Sequence, residues 1–471
     1  MNYFHSPKQS RRGFLILTGT ASLGFLGLQH FISRDLLAQN QNTPLPANSF
    51  GYGPLLPDPA GLLNLPKGFS YHIISRRGNR MSDGLFTPGR PDGMAAFAGT
   101  KGQTILIRNH ENSPDNAADS PFGQRNELLN KVDKARLYDY GKGQQPALGG
   151  TTTLVYDHRS GKVVQEYLSL AGTTRNCAGG PTPWNSWISC EENTDRASGI
   201  IEKDHGYNFE VPMAARGLVN PVPLKAMGRF NHEAVCVDPK TGIVYETEDR
   251  PDGLIYRYLP NQKGQLAKGG TLQALAIREQ KSMDTRNWKD SGLPSFPLNQ
   301  PIDVDWINLA NIEAPDDDLR LRGFQAGAAR FARGEGAWFG NNECYFACTS
   351  GGRNAKGQVF RYHPSPYEGQ ADEKNAPGKL ELFLEPNNTD LVKNCDNLTV
   401  APWGDVVLCE DDPHPFVVGV TPKGEFYKLA ENAGDPAEFA GGVFSPSGDT
   451  FFVNLQDVGY TFAITGPWRK A

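Results

Sequence analysis

The sequence predicts an all-β fold, a six-bladed β-propeller with short helical insertions, and three observations predict it. The 471-residue chain carries 52 glycines and 35 prolines, a density of turn formers that leaves little room for long helices. One pattern of turn, short β-run and polar cluster recurs at residues 102–112, 183–193, 242–250, 341–352, 402–412 and 447–457. The last two recurrences place Asp411 and Asp457 46 residues apart, close to the ~40–50 of one propeller blade.

Taken in order, the chain divides into an export signal with its linker over residues 1–44 and a single propeller domain over 45–471. Arg11 and Arg12 directly precede a moderately apolar run ending near Leu28, the arrangement read by the twin-arginine export machinery. That run is short and glycine-rich, so no stable membrane span is expected. Ala38 is a candidate cleavage residue, yet Leu36 is a poor small-residue match, and a retained anchor stays open. The longer spacings between the early repeats mark insertions. Residues 126–138 have the leucine and lysine spacing of a short helix, and a second insertion spans 266–321. Its Asp316-Asp317-Asp318 run reads as a solvated face.

The formal charge of −5, with 21% charged and 38% hydrophobic residues, fits a globular protein and excludes a basic nucleic-acid footprint. Seven cysteines include no CxxC pair, so neither a zinc ribbon nor a thioredoxin motif is present. Cys190, Cys236, Cys344, Cys348 and Cys409 sit in apolar runs, as buried thiols do. Cys177 differs, lying in a polar, glycine-rich loop, Arg175-Asn176-Cys177-Ala178-Gly179-Gly180.

The segment 228–258 shows the repeating unit at its fullest. A turn at residues 238–242 feeds the run Gly242-Ile243-Val244-Tyr245, which delivers Glu246, Glu248 and Asp249 at its far end. If equivalent runs line one channel, Glu111, Glu191, Glu192, Glu248, Asp249, Glu410 and Asp411 converge. Such a cluster repels itself unless cations neutralise it, and oxygen-rich sites of this kind suit calcium. A thiolate at Cys177 among them favours a transition metal such as iron. His110 and His232 each stand in an Asn-His-Glu triplet without a second histidine. The zinc-protease helix is therefore absent, and hydrogen-bonding core roles suit them better than ligation. In residues 329–336, Arg333 stands two residues before Glu335 and shares its face on an extended chain. A guanidinium beside a metal-bound carboxylate can capture a phosphate oxyanion, and a surface arginine is the alternative.

These motifs together carry a resemblance. NCAGGPTPWNSWISCEE, GRFNHEAV, YETEDRPDGLIYR, RFARGEGAWFG, DNLTVAPWGDVVLCED and FSPSGDTFFVN with TFAITGPW, in this order through nearly all the chain after the signal, resemble the PhoX-type alkaline phosphatases. The resemblance implies a six-bladed propeller with iron and calcium in its channel, acting on small phosphate monoesters. It implies Cys177, Glu192 and Glu233 as iron or bridging ligands, Glu335 as a metal ligand and Arg333 as the phosphate contact. Glu111, Glu191, Glu248 and Asp411 follow as further calcium or bridging ligands. Cys395 stands where that pattern has proline.

The expectation is a monomeric, periplasmic or extracellular metal-dependent phosphatase. Two other readings use the same carboxylates. A calcium-dependent propeller lactonase or phosphotriesterase needs neither Cys177 nor Arg333, and a non-catalytic exported propeller keeps calcium only for structure.

Overall fold

Each repeated run folds as a strand: Gln103–His110, Ser186–Glu191, Val244–Glu248, Glu343–Cys348, Val406–Glu410 and Thr450–Leu455. The computed structural model describes residues 51–100, 102–289, 291–293 and 295–470. The export signal expected over residues 1–44 therefore lies outside the described residues. The architecture is all-β and propeller-like, with one α-helix, Leu319–Gln325, among the described residues. No helix of the described residues is long and apolar enough to cross a membrane.

Just before each repeated run in the chain lies an innermost strand: Pro91–Ala98, Asn176–Pro181, His232–Val237, Gly334–Gly340, Cys395–Val400 and Phe439–Phe444. Each packs against the next and the last against the first, so the six enclose a channel. Small residues allow this closeness. A Cβ on Gly93 would stand 2.6 Å from the Cα of Ala178, and one on Gly336 would stand 2.7 Å from the Cα of Asn397. The ring is closed by pairing the chain's two ends, because Ser70–Arg76 lies antiparallel to Tyr460–Thr465. Radial packing of the sheets leaves only short, protected edges.

Hydrogen bonding groups the strands into five sheets, not the six separate ones expected. The reason lies in residues 266–321, read from sequence as an insertion. They contain the strands Gly270–Ile277 and Ile302–Asn308. The second pairs at Ile302 and Asp303 with Leu380 and Lys379, which fuses two sheets into one of nine strands. The other insertion, 126–138, forms two 3₁₀ turns, Leu129–Lys131 and Lys134–Arg136, in place of a regular helix.

Apolar side chains fill the spaces between neighbouring sheet faces, as alternating strands require. One cluster joins Ile255, Leu275, Phe331, Phe346 and Phe360, and another joins Val407, Val417, Phe439, Phe451 and Phe462. The first holds a disulfide between Cys236 and Cys344, which corrects the expectation that both are buried thiols. The two cysteines face each other from different strands packed across the same core. Cys177, Cys190, Cys348, Cys395 and Cys409 are buried and free.

The Cys236–Cys344 link closes a loop with a sequence separation of 108. Long loops lose most entropy on closure, so replacing both cysteines by alanine is expected to lower unfolding free energy by about 2–4 kcal/mol. Denaturant titration with and without reductant checks this: reductant should lower the wild-type midpoint and leave the variant unmoved.

Candidate metal centre

Six equivalent hydrogen bonds tie the start of each innermost strand to the end of its neighbour. The amides of Glu111, Glu192, Asp249, Thr349, Asp411 and Gln456 donate to the carbonyls of Arg90, Arg175, Asn231, Arg333, Asn394 and Glu438, at 2.9–3.2 Å. One or two residues further along, every innermost strand carries a β-bulge. Register slips by one residue between Pro91 and Met94, Asn176 and Gly179, His232 and Val235, Gly334 and Ala337, Cys395 and Leu398, and Ala440 and Val443. The first residue inside these bulges is Asp92, Cys177, Glu233, Glu335, Asp396 or Gly441. A bulge re-aims side chains, and here five of the six positions carry an acid or a thiol.

The donor atoms meet in four overlapping groups, each with its ligand atoms within 4.8 Å of one another: Cys177, Glu192 and Glu233; Glu233, Glu335 and Asp396; Asp396, Asp411 and Glu438; and Asp92, Glu111 and Glu438. Shared members link them into one run of nine side chains. Arginines border part of it. Arg90 and Arg175 take the two oxygens of Glu111 at 2.7 and 2.8 Å. Arg175 also pairs with Glu192. Arg333 grips Asp249 through Nε and Nη2 at 2.7 and 2.8 Å and reaches Glu335 at 2.9 Å.

These cations do not balance the cluster. Burial, with Glu192, Asp396 and Asp92 nearby, drives the Glu233 carboxyl well above the ordinary range. Burial with Asp249, Asp396 and Glu233 does the same to Glu335, against the opposing Arg333. Asp92 and Glu438 are raised by burial and by neighbouring acids. Burial and Asp411 push Asp396 up to about 7. Burial raises Glu192 to about 8 although Arg175 opposes it. Burial, then Glu233 and Glu192, raise the Cys177 thiol. With protein groups alone these side chains resist being ionised together. Several cations would neutralise them, and the donor set fits: the all-oxygen groups suit a hard ion such as calcium, and the group containing a thiol suits a softer one such as iron.

The structure brings together six of the residues expected to bind metal: Glu111, Cys177, Glu192, Glu233, Glu335 and Asp411. It places Arg333 beside them. It does not bring in Glu191 or Glu248. Glu191 accepts from the amides of Thr174, Gly206 and Tyr207 and from His205 Nδ1 at 2.6 Å. Glu248 accepts from the Leu254 amide and the Tyr256 hydroxyl. Glu410 does likewise with the amides of Lys393 and Phe416. The cause is strand alternation: in each acidic pair the first side chain points to the loops, and the second reaches the channel. Cys177 lies in a strand, not the loop expected, and is buried.

Asp92, Asp396 and Glu438 are members the sequence reading missed. The signal was an acid at or just before the start of a short strand, as in Pro91-Asp92-Gly93. His110 and His232 are hydrogen-bonding core residues. His110 bonds the Gly89 carbonyl and Thr152, while His232 bonds the Gly228 carbonyl and stacks on Phe230.

Fold and centre together define an all-β, propeller-like protein with a partly buried polyacidic site. The family model for the alkaline phosphatase PhoX matches residues 50–459, and the chain belongs to that family, a family of phosphatase hydrolases. Its structure is similar to that of Pseudomonas fluorescens PhoX in complex with vanadate, a transition state analogue. The two share 16% identity over 88% of this chain and 97% of that one, with a TM-score of 0.63. A gluconolactonase from Xanthomonas campestris also matches, at 13% identity over 88% of this chain and 99% of that one, with a TM-score of 0.37. No curated protein sequence matches.

Glu191 and Asp139 hold His205 between them at 2.6 and 3.4 Å. Burial disfavours its charge, but the two carboxylates outweigh burial and raise the imidazole to about 10. A raised pKa stabilises the fold fully below the unfolded value of ~6.5, and that contribution is lost as pH climbs through 10. Denaturant titrations between pH 6 and 10 are expected to show wild-type stability falling more steeply than that of His205→Gln, by on the order of a few kcal/mol. Parallel profiles would contradict this.

Proposed function

We propose that the chain is an exported, metal-dependent phosphatase that hydrolyses phosphate monoesters at an iron and calcium centre in the channel of a six-bladed propeller. The observation that carries the proposal is the run of nine linked side chains that could hold metal, with the unengaged guanidinium edge of Arg333 beside it. The six equivalent hydrogen bonds and six bulges support six blades, two of them joined edge to edge by Ile302–Asn308 and Lys379–Leu384. The disulfide supports an oxidising compartment, periplasmic or extracellular, and the twin arginines support the export route. The net charge of −5 supports a small-molecule substrate over nucleic acid. Nothing in the proposal requires a second subunit.

Cys177, Glu192 and Glu233 would hold iron. Asp92, Glu111, Glu335, Asp396, Asp411 and Glu438 would hold calcium or bridge between ions. When bound, the ions supply Lewis acidity toward the phosphoryl oxygens and activate an oxygen nucleophile. The protein's own contribution is order. Arg333 is held through Nε and Nη2, so its Nη1 edge is presented to a phosphoryl oxygen without further reorganisation. Asp249, gripping that arginine, is its positioning residue.

The mature protein is expected to hydrolyse aryl phosphate monoesters, to be inhibited by vanadate, and to lose activity on exhaustive chelation. Undiminished turnover after metal removal would overturn the proposal. Arg333→Lys keeps the charge and loses the fork. It is expected to lower kcat roughly 10²–10³-fold, the effect of one oxyanion donor, with an unchanged unfolding midpoint. Wild-type kinetics in this variant would return Arg333 to a surface role.

A further inference from the structure

Arg333 has a copy. Arg175 occupies the equivalent place in another repeat: its carbonyl accepts from the Glu192 amide as that of Arg333 accepts from the Thr349 amide. Both have left-handed backbones, φ 47° and 55°, and stand two residues before a bulge donor, Cys177 and Glu335 respectively. That conformation is uncommon for a residue with a long side chain. Asn394, at the same place in a further repeat, shows what the backbone itself prefers there.

The side chains repeat one another too. Arg175 is anchored through Nε on the Glu192 carbonyl at 3.1 Å, and through Nη2 on Glu111 and Glu192. Arg333 is anchored through the same two nitrogens. In both, Nη1 has no partner among the described residues, and the side chains are similarly exposed, 38% and 36%. Arg90 is a third copy by backbone, φ 45°, but its Nη1 is taken by Asp457 at 2.8 Å. The two unengaged edges also border adjoining parts of the centre. Arg175 pairs with Glu192 in the group with Cys177 and Glu233, and Arg333 pairs with Glu335 in the group with Glu233 and Asp396, so the two groups share Glu233.

We propose that Arg175 is a second phosphoryl-binding residue, acting with Arg333 on one phosphate group above the carboxylates that meet at Glu233. This rests on the phosphatase reading. A purely structural arginine would only order Glu111 and Glu192. A pre-anchored guanidinium with two unspent N–H donors offers a phosphoryl oxygen charge-assisted hydrogen bonds at little cost in side-chain freedom.

The test compares wild type, Arg175→Gln and Arg175→Lys for aryl phosphate monoester kinetics, inhibition by inorganic phosphate, and iron and calcium content. In both variants KM and the inhibition constant for phosphate are expected to rise roughly tenfold or more, the loss of a hydrogen bond to a charged group. Metal content per chain should hold in Arg175→Lys, which keeps the cation beside Glu111 and Glu192. Phosphate should also shift the melting temperature of wild type more than that of either variant, a readout independent of turnover. If both variants keep the wild-type phosphate inhibition constant per metal-loaded site, Arg175 is structural and the inference falls. An inactive, metal-loaded wild type would instead overturn the phosphatase reading on which it stands.

Discussion

Like charge held together away from water is the constraint on which the rest of this structure depends. Burial raises the proton affinity of Asp92, Glu233, Glu335 and Glu438, and the neighbouring Asp396 raises each of the four further. Two unit charges at such separations repel by several kcal/mol even at an intermediate dielectric, so the set cannot be fully ionised on protein groups alone. A scaffold that keeps it together must resist opening. The innermost strands are locked in a closed ring, Ser70–Arg76 pairs with Tyr460–Thr465 across the closing sheet, and a disulfide crosses the core from Cys236, in the strand of Glu233, to Cys344, in the strand after that of Glu335. Rigidity there is what lets the channel hold acids at ligand spacing.

The ring solves its geometric problem with one device repeated. A regular strand alternates its side chains and sends only every other one inward. The bulge inserts an extra residue in each innermost strand, so that in five of the six an acid or thiol turns into the channel, and in most of these a following glycine or alanine lets the neighbouring strand approach. The adjacent strand end contributes a second donor by simple alternation: Glu111, Glu192 and Asp411 face inward, and Glu191, Glu248 and Glu410 turn back to bind loop amides. The buried acids of this second class stabilise the channel rim by satisfying backbone donors that no strand reaches.

This division explains how far the sequence could be read. The recurring runs were legible because apolar residues between glycine turns form strands almost regardless of context, and all six did. The acidic pairs were legible as pairs only: a shift of one residue exchanges the two sides of a strand, and nothing in Glu191-Glu192 marks which member faces inward. Asp92, Asp396 and Glu438 escaped because they precede their strands' apolar residues, and because bulged, glycine-rich strands lack the alternation that announces a strand. The five sheets also escaped. Whether Ile302–Asn308 joins Lys379–Leu384 depends on two outer edges meeting, a tertiary outcome without a local signal.

The border of the centre is lopsided, and that carries a functional consequence. Of the six equivalent positions at the strand starts, Arg90, Arg175 and Arg333 are cationic, Asn231 and Asn394 are neutral, and Glu438 is acidic. The cations fall within four consecutive repeats, and the remaining two hold Asp396, Asp411 and Glu438, none of which has an arginine salt bridge among the described residues. An anion approaching a uniformly acidic channel would be repelled until it met the ions. Here it meets partly exposed guanidinium groups on one side first, which favours entry along that side. The same asymmetry leaves the opposite side without an arginine or lysine at its strand starts. One repeated unit thus gives the ring a cationic arc and an acidic arc by changing the residue at one position.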